Sequence, residues 1–165
     1  MCSSDLDDLR KRVMRVRTSH GEEGIELRTG QRLRFVARST GSGRGFTADT
    51  IILDEAYRLP PESIGALLPT LSSRPNPQVI YASSAGHVDS EVLRSVRERG
   101  MSGSPSLCYL EWSADPQSSP DDPRAWAVAN PALGIRISAD HIARELAAMD
   151  PQEFARERLG FWSDP

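Results

Sequence analysis

Thr50-Ile51-Ile52-Leu53-Asp54-Glu55-Ala56 is an apolar run long enough for one buried strand, ending in two adjacent carboxylates. A continuous apolar strand suits the centre of a parallel sheet covered on both faces. In open α/β sheets, ligands bind beyond the carboxyl ends of the strands. Two acids there fit a nucleotide hydrolase of the Walker B type. Asp54 would hold a hydrated Mg²⁺ beside the phosphates, and Glu55 would orient or deprotonate the attacking water. The competing reading is a strand that runs into a solvated turn, with both acids facing water.

Working outward, Tyr57 to Glu62 breaks and restarts the chain. Pro61 suits the first position of a helix, and Ile64, Leu67, Leu68 and Leu71 form its apolar stripe, with Pro69 kinking or ending it. After the turn Arg74-Pro75-Asn76-Pro77, Gln78 to Ser84 reads as a second apolar strand ending in hydroxyls, followed by Ala85-Gly86. Strand, helix and strand over this length predict a βαβ unit with parallel strands, so the acidic and hydroxyl ends share one edge. There Ser83 and Ser84 are placed to sense a γ-phosphate or its water through small hydrogen-bond shifts; a plain strand-end turn is the alternative. Upstream lies the glycine-rich loop Ser39 to Thr47. It is not a Walker A loop, because no Gly-Lys-Ser/Thr opens a helix there. It does present Arg44 between glycines, a guanidinium suited to stabilising phosphoryl charge on a neighbouring subunit. The competing reading is a surface turn carrying one arginine.

The flanks carry less chemistry. Leu6, Leu9, Val13 and Val16 predict a helix over 7–17, and the β-like runs 25–29 and 32–38 around Thr29-Gly30-Gln31 predict a hairpin whose Leu33 and Phe35 face a core. Residues 89–99 read as a helix capped by Asp89 or Ser90, stopped by Gly100, with Val88, Val92, Leu93 and Val96 inward. Residues 106–112 alternate like a strand. The Pro- and Ser-rich stretch 115–122 reads as a linker, and three short helices follow over 123–129, 139–149 and 151–161, the second capped by Ser138 and the third by Asp150 with Glu153. His20, His87 and His141 are scattered rather than spaced as metal ligands. Ser83 and Ser84 precede His87 without a nucleophile-elbow glycine pattern, which gives no support to a serine hydrolase.

The 165 residues suffice for one domain or a slice of a larger protein. No apolar run approaches the roughly 20 residues of a membrane span. The net charge of −3 argues against a globally basic nucleic-acid binder, although 19 of the 20 basic residues are arginine and only Lys11 is lysine. Cys2 and Cys108 form no metal-ligand spacing, and a reducing cytoplasmic setting is the expectation.

In order and spacing, Phe35-Val36-Ala37-Arg38, Gly43-Arg44-Gly45-Phe46, Ile51 to Ala56 and Tyr81-Ala82-Ser83-Ser84-Ala85-Gly86 form a set. Trp126, Ala129-Asn130-Pro131-Ala132-Leu133-Gly134 and Phe154 to Trp162 extend it. Over about residues 25–165 the chain resembles the large terminase subunit of tailed double-stranded DNA bacteriophages, the ATPase and nuclease that drives genome packaging. The resemblance implies an α/β fold: part of a P-loop NTPase (RecA-like, ASCE) parallel sheet with a C-terminal helical segment. It implies Asp54 as the Walker B acid associated with Mg²⁺ through water, Glu55 as the catalytic carboxylate, and Ser83, Ser84 and Ala85 as the coupling motif. Arg44 stands where the family places an arginine finger acting in trans.

The implied organisation is a poorly assigned N-terminal helix over 1–20, the C-terminal part of a packaging ATPase domain over 21–114, and a linker with a helical subdomain over 115–165. The sequence carries no P-loop, and it ends about where the family's RNase H-like nuclease domain begins. The expectation is therefore an ATPase fragment with negligible turnover alone. In the parent the resemblance implies Mg²⁺ with ATP as substrate, double-stranded DNA, portal and small terminase subunit as partners, a homo-oligomeric ring, and the host cytoplasm. The alternatives are a fragment of another RecA-like or helicase-like motor, and a non-catalytic α/β interaction module.

Overall fold

The structure, a computed structural model, describes residues 3–37 and 47–163. The chain divides into two units, Met1–Phe46 and Thr47–Pro165. The loop that carries Arg44 lies outside the described residues, so the expectation for it does too.

The first unit begins with helix α1 (Ser3–Arg12) and continues as the strands β1 (Val13–Arg17), β2 (Gly24–Leu27) and β3 (Arg32–Arg34). They form an antiparallel sheet in the order β1-β2-β3. The helix expected over 7–17 therefore stops at Arg12. Val13 and Val16 are β-branched and pair with Leu27 and Ile25, a use of the backbone that helical spacing alone does not reveal. The expected hairpin is present: Gly30 adopts φ +93°, and the Leu27 N–H donates to the Gln31 carbonyl at 2.9 Å. Leu33 and Phe35 do not face a core, however; both are exposed.

The second unit opens with β4 (Thr50–Leu53), a 3-10 turn over Ala56–Arg58, helix α2 (Pro61–Leu71) and β5 (Gln78–Tyr81). β4 and β5 pair in parallel, with Thr50 opposite Gln78 and Leu53 opposite Tyr81. One face of the pair is buried through Ile51 and Leu53, whereas Ile52 is 60% and its cross-strand partner Ile80 46% exposed. Of the α2 stripe only Leu71 is fully buried, and Leu68 is exposed. Helix α3 (Glu91–Met101) buries Leu93 and Val96 and leaves Val88 outside. It runs past Gly100.

No strand forms over 106–112 among the described residues. Alternation supplied no partner for that backbone. Its side chains serve instead as clamps on α3: the Tyr109 ring lies where a Cβ on Gly100 would meet it at 2.4 Å, and Glu111 accepts two hydrogen bonds from Arg97, each of 3.0 Å.

The three expected short helices are α4 (Pro123–Ala129), α5 (Ala139–Ala148) and α6 (Pro151–Leu159). Side-chain caps start each: Asp122 accepts from Arg124 N–H, Ser138 from His141 N–H, and Asp150 from Gln152 and Glu153 N–H. Gly160 ends α6 in the left-handed conformation at φ +72°. Their core is Trp126, Ile142, Phe154 and Leu159 with Ala114 and Ala125. No helix among the described residues is long and apolar enough to cross a membrane.

Candidate functional site

The parallel register carries the acidic end of β4 and the hydroxyl end of β5 to the same edge. The Ala82 N–H donates to the Leu53 carbonyl at 3.0 Å and the Ala56 N–H to the Ala82 carbonyl at 3.1 Å, so the ladder continues one step past the strands. Asp54 and Glu55 project from this join and are exposed. The Glu55 N–H donates to Asp54 Oδ1 at 3.0 Å. Glu55 occupies the left-handed region at φ 49°, ψ 49°, the one non-glycine residue among those described with positive φ. Such a conformation persists only where its surroundings fix it, and it clusters at functional sites.

The expected coupling residues hydrogen-bond to the next part of the turn and to helix α6. The Tyr57 N–H donates to Ser83 Oγ at 2.9 Å, which ties the two strand ends together. Ser84 Oγ donates to Glu157 Oε2 at 2.8 Å, and the buried Ala85 offers its carbonyl to Arg156 Nη1 at 3.1 Å. The structure thus brings Asp54, Glu55, Ser83, Ser84 and Ala85 into one neighbourhood.

Several residues of this neighbourhood carry no sequence signal for it. Tyr57 is buried with Ala56 and Leu93, its ring edge-on to His87 at 5.4 Å. The Arg58 and Arg156 guanidinium carbons lie 5.2 and 4.8 Å from its centroid, within cation–π range. Ser90, expected as a helix cap, makes no capping bond; its hydroxyl donates to the Tyr57 carbonyl at 2.8 Å and accepts from the His87 N–H at 2.9 Å. Trp162 fills the space over Gly86, where a Cβ would meet its ring at 2.5 Å, and takes the Arg94 and Arg97 guanidinium groups at 5.6 and 5.0 Å. Glu153 is held below the usual carboxylate range, chiefly by its hydrogen bonds from Arg156, and the same contact pushes Arg156 above the ordinary guanidinium value.

Among the described residues, no three His, Cys, Asp or Glu side chains converge as a metal cage. Mg²⁺ at nucleotide sites needs none, since one or two carboxylates complete a shell made of waters and phosphate oxygens. Asp54, exposed at the strand end, fits that single-ligand role.

A parallel strand pair with an acidic carboxyl end, backed by α helices, defines a mixed α/β protein. No family model matches the sequence, and no curated protein does. Among solved structures, the crystal structure of the HK97 bacteriophage large terminase superposes with a TM-score of 0.75 at 21% identity. The match covers 94% of this chain and 34% of that one, so the chain spans about a third of the terminase's length. The chain has a terminase-like fold.

Proposed function

We propose that the chain is the Walker B part of an ATP-driven DNA-packaging motor of the large-terminase kind. The observation that carries this reading is the parallel register of β4 and β5, which sets Asp54 and Glu55 beside Ser83 with the Tyr57 N–H bridging them. In this reading Asp54 is the Mg²⁺-associated acid and Glu55 aligns and deprotonates the attacking water. Ser83, Ser84 and Ala85 transmit the state of the site. When bound, Mg²⁺ neutralises charge on the phosphates. Arg44 serves the next subunit of a ring in trans.

Nothing in the sequence supplies the backbone cradle and lysine that hold β- and γ-phosphates, so the chain by itself turns over negligible ATP. The wider parent, with portal and small terminase subunit as partners, works in the host cytoplasm. Its double-stranded DNA requires phosphate contacts, and the first unit offers a face for them. Strand pairing places Arg15, Glu26 and Arg32 on one side of the sheet together with Arg17 and Arg34. Arg17 is engaged by Glu22 and Glu26, whereas Arg15, Arg32 and Arg34 have no ion-pair partner among the described residues.

The test is Glu55→Gln in the whole product of the reading frame. Turnover should fall by about 10²–10⁴-fold, the usual worth of a general base, with nucleotide binding retained. An unchanged rate assigns the acids to a solvated strand end and the chain to the interaction modules.

A further inference from the structure

Arg156 is a charged side chain at 3% exposure, and nothing in the hydrolytic reading requires it. Burying an ion is unfavourable unless well-placed partners satisfy it, so the partners indicate what the site is built to hold. They come from three stretches of chain. Nη1 donates to the Ala85 carbonyl at 3.1 Å; Nε and Nη2 donate to Glu153 at 3.2 and 2.7 Å; Nη2 also pairs with Glu157. The planar group lies against the Tyr57 ring at 4.8 Å. Glu157 completes the grip by accepting the Ser84 hydroxyl at 2.8 Å.

Tyr57 stands two residues beyond Glu55, and its N–H is the one bound by Ser83 Oγ. One turn of α6 therefore holds the hydroxyl turn at Ser84 and Ala85 and the acidic turn through the Tyr57 ring. Only a forked, planar cation can meet a carbonyl, two carboxylates and an aromatic face at once.

We propose that Arg156 and Glu157 are positioning residues for the Asp54–Glu55 turn, and that α6 is the element through which the C-terminal helices regulate its geometry. The functional meaning rests on reading that turn as hydrolytic. Displacing α6 must release Ser84 and Ala85 and unstack Tyr57, which loosens the turn two residues beyond Glu55.

The test is amide hydrogen exchange of the chain, followed by NMR, in Glu157→Gln, Ser84→Ala and the double variant. These alter half-buried side chains and avoid the folding risk of removing Arg156 itself. Exchange at Ala56 and Tyr57 should rise about tenfold in each single variant, the effect of one lost hydrogen bond to a charged group. The double variant should fall short of the sum, because both changes act on the Ser84–Glu157 contact, while Glu157→Gln also discharges the pair with Arg156. Ile142 and Trp126, in α5 and α4, should keep their protection. Unchanged exchange at Tyr57, or a rise matched at Ile142 and Trp126, would overturn the proposal. Exchange is read without nucleotide, so a negative result counts against the α6 linkage alone, while an unchanged turnover in Glu55→Gln counts against the hydrolytic reading alone.

Discussion

Glu55 holds a backbone conformation that L-residues with long side chains avoid, and its two neighbours show why it stays there. Asp54 binds its N–H, and the next N–H, that of Ala56, is taken by the Ala82 carbonyl across the sheet. Asparagine enters the left-handed region more readily than glutamate and without glycine's loss of chain entropy. Glu55→Asn is therefore expected to stabilise the fold by about 0.5–1 kcal/mol while removing the carboxylate, as read by thermal denaturation. A lower melting point would show that the glutamate side chain contributes more than the strain withdraws. The acids themselves were legible, since two carboxylates after three consecutive apolar residues interrupt a pattern. Arg156 was not, because its partner Ala85 lies 71 positions away and a lone arginine between two glutamates reads as a solvated helix face. Ser90 misled for the opposite reason. Its position fits a local capping rule, but the distant Tyr57 carbonyl competes for the same hydroxyl.

Among the elements, α5 and α6 are joined by Arg158, whose Nη2 and Nε donate to Glu145 at 2.6 and 2.5 Å, with His141 3.3 Å from the same carboxylate. Hydrogen bonding from Arg158 is the main cause that lowers Glu145, as Arg156 lowers Glu153. A carboxyl whose folded value lies below its unfolded one takes up its proton later in the folded chain as pH falls. Its stabilisation is complete above the unfolded value, about 4.5, and is lost as pH drops through the folded value. Thermal midpoints should thus fall below pH 4.5, and Arg158→Gln should flatten that part of the profile. A variant with the wild-type acid slope would remove Glu145 from the account. Helix starts were readable here because Ser138 and Asp150 act within three residues. Strands were less so: β1 was hidden in a helix-like spacing, and 106–112 alternated without a partner, since pairing is a property of two segments and spacing of one.

Across the molecule, charge is unevenly divided. Met1–Phe46 carries ten basic and six acidic residues, and Thr47–Pro165 ten and seventeen. The overall −3 therefore conceals a basic unit, and the composition reading that argued against a basic binder averaged over both. If the face with Arg15, Arg32 and Arg34 meets DNA phosphates, replacing all three by glutamine should weaken duplex binding and flatten the slope of log K against log salt by about 3. Fluorescence anisotropy across a salt series measures this, and an unaltered slope would take the contacts off that face. The terminase-like fold was legible through the order of weak motifs, whereas the extent of the sheet was not, because a sheet is defined by its neighbours. β4 and β5 each pair on one side only among the described residues, and Ile52 and Ile80 lie bare on the same face. The pair thus has a valence: two open edges and one bare apolar face among the described residues, beside the turn that holds Asp54 and Glu55.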